Sequence, residues 1–459
     1  MNQFFKKKQW LSSQSNKKLK KTLGAFDLTM LGVGAVVGSG IFILPGEISS
    51  TITGPGIMIS FIIAAIGCGL AALCYSEFSS KIPQAGSAYT YSYYVFGEGI
   101  AWILGWALLL EYSLAIAAVA SGWSSYVINL LSGMDIHLVK ALSGSYDPSS
   151  GQYFDLLSFL IIIIIGALLV NGVRESTRIN NIMVIIKILV VLLFIIVGVF
   201  YVKPENWTPF LPFGFNGVLT GASMVFFAYI GFDAVSSAAE EVKNPQKNMP
   251  IGIIGALTIC TILYIIVSAV LTGVVPYQRL EGVGAPVAFA LQSINQNWIA
   301  GFLSLGAIVG MTTVIFVMSY GGTRLIFAMS RDGLLPKVLS KTNEKQTPVH
   351  NTIILTVSMG VVSGIVPLSQ LASLINIGTL FAFCTVSIGV LFLRRNHTLP
   401  TEGFNVPFYP VLPLVSFGIC LYLMTNLSRT TWIAFIIWFI LGIIVYFSYG
   451  IKHSKLKAK

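Results

Sequence analysis

Gly32-Val33-Gly34-Ala35-Val36-Val37-Gly38-Ser39-Gly40-Ile41-Phe42 lies inside the first apolar run of the chain, and its reading decides the fold. Each glycine weakens a helix by about 1 kcal/mol relative to alanine. Gly34 and Gly38 have the small-x-x-x-small spacing that lets membrane helices pack closely. Close packing alone does not call for a further glycine and a serine beside them. Gly38-Ser39-Gly40 therefore reads as a point where the helix unwinds. Irregular backbone at membrane depth is tolerated only where it lines a cavity.

The surrounding chain supplies the membrane. Its 459 residues are 55% hydrophobic and 10% charged, with a mean hydropathy of +0.82. A soluble chain carries roughly 25% charged residues, so lipid must cover part of this surface. The first 25 residues are basic and polar, and no leader peptide is read there. A bilayer crossing takes about 20 mostly apolar residues. Twelve such runs are read, at 26–45, 56–77, 95–128, 153–172, 179–202, 217–240, 251–275, 298–330, 350–366, 370–394, 407–426 and 431–449. The expected fold class is an all-α integral membrane protein.

Charge placement tests this count. With the N-terminus inside, 22 Lys and Arg fall on inside segments, while Lys140, Lys203, Arg279 and Arg429 fall outside. Lys187 and Arg324 lie within spans. The asymmetry follows the positive-inside rule and puts both termini in the cytoplasm. The net charge of +11 thus reads as topology and contact with anionic lipid, not nucleic-acid binding. The loops 129–152 and 276–297 are the largest and are expected outside; neither is long enough to fold alone. The polar termini are expected to be mobile.

Chemistry is excluded more readily than assigned. The five cysteines sit in apolar runs without a Cys-x-x-Cys and read as packing residues. The four histidines lie outside or at the edges of the runs, so no metal site is expected. No G-x-x-x-x-G-K-[ST] phosphate loop is present, which argues against ATP as energy source. No H-E-x-x-H or G-x-S-x-G supports a hydrolase, and no cofactor is implied.

The sixth run, Ser223-Met224-Val225-Phe226-Phe227-Ala228-Tyr229-Ile230-Gly231-Phe232-Asp233, carries one glycine and a mid-span acid. Runs one and six each open a group of five. Interrupted helices in corresponding positions of two halves mark a transporter binding site. Such breaks expose N–H groups at one half-helix end and carbonyls at the other. Together they can hold a carboxylate and an ammonium at once, as an amino acid requires.

Three ionisable groups lie deeper. Lys187 sits two turns into the fifth run, where it either snorkels to the interface or serves as a buried amine that binds and releases a proton. Glu111 in the third run reads equally as a hydrogen-bonding partner for a broken helix end or as a proton carrier. Asp233 divides the same way between helix-end capping and coupling. Glu77, Glu240 and Glu241 lie near inside ends and read as solvated or paired at a gate.

The quoted stretches, with Asn244-Pro245-Gln246-Lys247-Asn248-Met249-Pro250, Ser330-Arg331-Asp332-Gly333-Leu334-Leu335-Pro336 and Gly86-Ser87-Ala88-Tyr89, resemble the amino acid–polyamine–organocation (APC) superfamily. The resemblance runs from about residue 20 to 450. It is closest to bacterial relatives of cationic amino acid transporters, including Gram-positive branched-chain amino acid permeases. It implies a LeuT-like five-plus-five inverted repeat of residues 26–202 and 217–394, two extra C-terminal spans in 407–449, and tails at 1–25 and 450–459. It implies that a substrate carboxylate meets amides around Ser39, Gly40 and Ile41. The ammonium would meet carbonyls around Val36, Phe226, Phe227, Ala228 and Ile230, with Phe226 or Phe227 as lid. Lys187 matches a lysine that takes the place of a sodium ion in proton-coupled relatives.

Met311 is expected to line the side-chain pocket, where it offers no partner for a guanidinium. Neutral, mainly branched-chain amino acids are therefore the expected substrates, imported across the plasma membrane with a proton. A cationic amino acid or polyamine transporter or exchanger is the alternative. A membrane sensor that binds without transport is a third reading, weakened by the lack of a long soluble domain. A monomer suffices for any of these.

Overall fold

A computed structural model describes residues 3–8, 21–82, 87–172, 177–344, 347–396, 400 and 402–456. Gly86, and Lys17, Lys18, Lys20, Arg174, Lys345, Lys457 and Lys459 of the charge count, lie outside them.

The architecture is helical. The main helices in chain order are α1 (Ala25–Val36), α2 (Ile57–Lys81), α3 (Glu98–Ser132), α4 (Leu156–Val170), α5 (Thr177–Gly198) and α6 (Gly214–Val225). They continue with α7 (Pro245–Val274), α8 (Asn297–Arg331), α9 (Val349–Ile365), α10 (Leu368–Arg395), α11 (Val411–Thr425) and α12 (Arg429–Val445). Among the described residues, seven helical stretches are long and apolar enough to cross a membrane. Shorter apolar helices are α1, α4, α9 and α11. Among the described residues the β pairing is limited to isolated bridges. Apolar side chains are exposed on several helices, as on α12, where Ile436, Ile437, Ile440 and Ile444 are each about half exposed. Such a surface suits lipid and not water.

The long helices α3 and α8, 35 residues each, span about 52 Å at 1.5 Å per residue. They pack along one another and form the spine against which α1, α9 and α10 rest. Around α3, Trp106 and Trp438 exchange indole hydrogen bonds with each other's carbonyls at 2.9 and 3.0 Å. Trp102 Nε1 donates to Gly442 O at 2.9 Å, which holds α12 on the same side of α3.

The two described chain ends meet on one face. Gln3 Nε2 donates to Ile451 O at 3.1 Å, and the Gly99 amide donates to Phe4 O at 2.8 Å. Buried Glu98 accepts from Gln3, Tyr93 and Tyr446 and from the Ser454 hydroxyl. Residues 3–8 are therefore fastened down, contrary to the expectation of a mobile tail. The reason is local: Phe4 lies where any side chain on Gly99 would collide with it. A second fastening joins the Thr22 and Leu23 amides to Glu241 O at 2.9 and 3.1 Å.

Glu77 is not solvated. It is fully buried and accepts from Lys81, from both Nε and Nη2 of Arg394, and from the Val406 amide, each at 2.8 Å. A carboxylate taken out of water needs this degree of compensation. The cluster ties the ends of α2 and α10 to the strand-like segment before α11. The Glu240 side chain lies outside the described residues.

Candidate functional site

Both expected helix breaks are present, each displaced slightly from where the glycines placed it. α1 ends at Val36; Val37 turns extended (φ −77°, ψ 94°), and a short helix resumes over Ser39–Phe42. The unwinding thus centres on Val37 and Gly38, with Ser39 already at the start of the next turn. In the sixth run, α6 gives way at Phe226 to a 3-10 turn over Phe226–Tyr229, and Ile230 leaves it extended. Gly231 then takes φ +114°, a conformation L side chains rarely adopt.

The two breaks touch. A Cβ on Gly40 would lie 2.6 Å from Ala228 Cα and 2.8 Å from Ala228 Cβ. Only glycine allows this approach. The Tyr264 hydroxyl of α7 lies 2.6 Å from Ala228 O and 3.0 Å from Val36 O, so one donor serves a carbonyl from each break. Tyr264 is buried and stacks edge-on against Tyr229. The sequence gives no sign of its role, because a tyrosine in an apolar run reads as packing.

Between the breaks lies a small cavity, with room for water and not yet for a whole amino acid. Ala35, Val36, Gly38, Ser39 and Gly40 line one side, and Phe227 and Ile230 another. Ala115 and Val119 of α3 and Val314 and Met318 of α8 complete it. All of these residues are buried. Among the described residues its one polar lining side chain is that of Ser39, whose hydroxyl is buried and has no hydrogen-bond partner among them. An unpaired buried hydroxyl costs free energy unless a ligand or water completes it. With Ser39 at the start of a helical turn, its amide and that of Gly40 have no acceptor within that turn.

The structure sorts the expected residues. Val36, Ser39, Gly40, Phe227 and Ile230 line the cavity; Ile41, Phe226, Ala228 and Met311 do not. The Ile41 amide is directed to Gly38 O at 3.3 Å. Phe226 turns away to pack edge-on against Phe383 of α10, which leaves Phe227 as the aromatic facing the cavity. Ala228 meets Gly40 and contributes its carbonyl to Tyr264. Met311 sits one turn too early on α8: its sulfur packs near Gly122 of α3, and Val314 and Met318 occupy the lining face instead. Ala115, Val119, Val314 and Met318 carry no sequence signal of their own, since helix orientation decides which apolar residues face inward.

The ionisable groups lie behind the cavity. Lys187 is fully buried, and its Nζ donates to Gly34 O at 2.8 Å, in the last turn before the α1 break. Its stem packs on Gly310 of α8. The lysine therefore links α5 to α1 and does not snorkel to an interface. Asp233 and Glu111 are buried elsewhere, at the far end of the α6 break. Tyr112 donates to Asp233 Oδ2 at 2.8 Å. Both Glu111 oxygens lack a geometric hydrogen-bond partner among the described residues, although the Thr379 hydroxyl lies beside them.

A helical membrane body with a cavity at two touching helix breaks has the build of a secondary transporter. The chain belongs to the amino acid permease family, whose model matches residues 23–449, within the APC superfamily. It is 52% identical over 460 aligned residues to the methylthioribose transporter of Bacillus subtilis (strain 168), covering 99% of this chain and 100% of that one. It is 51% identical to the branched-chain amino acid permease BcaP of the same organism, covering 97% and 96%. It is 37% identical to a vacuolar cationic amino acid transporter of Arabidopsis thaliana, covering 88% of this chain and 68% of that one.

Proposed function

We propose that this protein is a secondary active importer of neutral, mainly branched-chain L-amino acids, coupled to protons. The observation that carries the reading is the cavity: apolar on its side-chain-lined walls, with one free hydroxyl and two half-helix ends. The carboxylate goes to the amides of Ser39 and Gly40 and to the Ser39 hydroxyl. The ammonium goes to the carbonyls at Val36 and at the α6 break. The aliphatic side chain lies against Ala115, Val119, Val314 and Met318, with Phe227 as lid. Among the described residues no carboxylate lines the cavity, so arginine, lysine and polyamines would bury an unpaired cation there.

The proposed topology is twelve spans in a LeuT-like five-plus-five inverted repeat, 26–202 and 217–394, with two further spans in 407–449. The tails 1–25 and 450–459 face the cytoplasm across the plasma membrane. The meeting of both chain ends on one face supports an even number of crossings, and seven long helices alone are odd. Shorter helices must then cross too, which α1 does in two pieces.

For coupling, Lys187 is the proposed proton carrier. When charged it holds Gly34 O and steadies α1; when neutral it donates less strongly and releases the break. Glu111 and Asp233 are proposed to relay protons through their buried cluster. A second reading, uptake of a thioether sugar, draws support from the 52% identical methylthioribose transporter. A sugar would need partners for several hydroxyls, and the cavity offers one hydroxyl and backbone. Uptake of labelled leucine into proteoliposomes with an imposed inward proton gradient tests the proposal. Accumulation that collapses with a protonophore, and loses its pH dependence in Lys187→Ala, is expected. Binding without uptake would make the protein a sensor; pH-dependent uptake by Lys187→Ala would make the lysine structural.

A further inference from the structure

Of the two basic residues read inside spans, Lys187 has its carbonyl, and Arg324 has no such partner among the described residues. Arg324 lies on α8 and its guanidinium sits 4.9 Å from the Tyr320 ring centroid. Among the described residues no carboxylate lies within 4 Å of it. An arginine this near a helix end can reach the headgroup layer, where an anionic group can join it.

Its depth is informative. Arg324 precedes the end of α8 by seven residues, or about 10 Å. α8 exceeds a hydrocarbon core of about 30 Å by about 22 Å, so about 11 Å overhangs on each side if it is centred. Arg324 then sits at the boundary between acyl chains and headgroups. The leaflet is the one on the side of the termini, since Asp332 just beyond α8 accepts from the Lys455 amide at 3.1 Å and pairs with Lys8.

Arg324 also lines a shallow recess with Leu169, Tyr320, Thr323, Thr347 and Thr352, at the junction of α4, α8 and α9. The Thr323 and Thr347 hydroxyls already donate to Tyr320 O and Asn343 Oδ1 at 2.8 and 2.7 Å. The guanidinium fork is therefore the main set of donors left for a ligand, and a fork suits phosphate oxygens. Tyr320 is 38% exposed, so the recess opens outward. Beside its lining, Leu168 and Ile353 are 40% and 49% exposed and offer apolar surface for chains attached to the phosphate.

We propose that the Arg324 recess binds the phosphate of an anionic phospholipid from the leaflet on the side of the termini. The inference needs only a membrane-spanning chain and not the transport reading, and its test measures lipid and not uptake.

The test is retention of phosphatidylglycerol by purified full-length protein, read by native mass spectrometry after titration from phosphatidylcholine-containing micelles. Wild type is expected to retain phosphatidylglycerol, and Arg324→Gln to lose at least about tenfold in apparent affinity, while phosphatidylcholine retention stays equal. Arg324→Lys keeps the charge without the fork; it should weaken retention by about threefold and decides the matter if Arg324→Gln does not fold. Equal phosphatidylglycerol retention by wild type and the folded variants would overturn the proposal. Displacement of the lipid by inorganic phosphate would assign the site to free phosphate and overturn the lipid source.

Discussion

Gly40→Ala perturbs the closest contact between the two breaks. The added Cβ would sit 2.6 Å from Ala228 Cα and 2.8 Å from its Cβ, against ordinary contact from about 3.4 Å, so the overlap is about 0.8 Å. The neighbour is backbone in a 3-10 turn, and its carbonyl is held by Tyr264; it cannot rotate away. Over-packing of this kind costs about 1–3 kcal/mol. If the breaks separate to relieve it, the amides and carbonyls no longer match one amino acid, and affinity falls by about 5- to 150-fold. Gly69→Ala on α2 is the control, because its Cβ would meet nothing within 4 Å. Leucine affinity there should stay within about twofold of wild type. Calorimetric titration of leucine into purified protein, with thermal unfolding to check integrity, reads both. Wild-type affinity in a folded Gly40→Ala protein, or greater damage from Gly69→Ala, would refute the reasoning.

Three further outcomes follow from the same contacts. Tyr264→Phe leaves the carbonyls of Val36 and Ala228 without their shared donor, which costs about 1–3 kcal/mol; leucine affinity should drop about tenfold in a folded protein. Glu77→Gln leaves Arg394 and Lys81 without their buried counter-charge, at about 3 kcal/mol; the thermal midpoint should fall while leucine affinity in the remaining folded protein holds. Met318→Ala enlarges the cavity beside Phe227, so competition assays should show phenylalanine gaining on valine.

The membrane class and the helix breaks were legible because glycine clusters and buried charges are costly in lipid and therefore stand out. Gly38-Ser39-Gly40 and Gly231 fall inside the interruptions, although α6 already gives way at Phe226, and Lys187 marked itself by its charge. Helix rotation was not legible. Met311 and Val314 are both apolar residues of one helix, and a shift of three residues along α8 decides which faces the cavity. The same holds for the neighbouring pair Phe226 and Phe227, whose assignment waits on where the 3-10 turn begins. Tyr264 was missed because its hydroxyl acts through two carbonyls distant in sequence. Fastening of the N-terminal residues was hidden as well, since it depends on Gly99 leaving room for Phe4.

The central claim is that one cavity reads an amino acid at both ends and an apolar side chain between. The most direct measurement is a calorimetric panel on the purified protein: leucine, isoleucine and valine against leucinamide, 4-methylpentanoate, arginine and methylthioribose. The account predicts binding by the three branched-chain amino acids and none by leucinamide, which lacks the carboxylate, by 4-methylpentanoate, which lacks the ammonium, or by arginine. Tighter binding of arginine or methylthioribose than of leucine would contradict it.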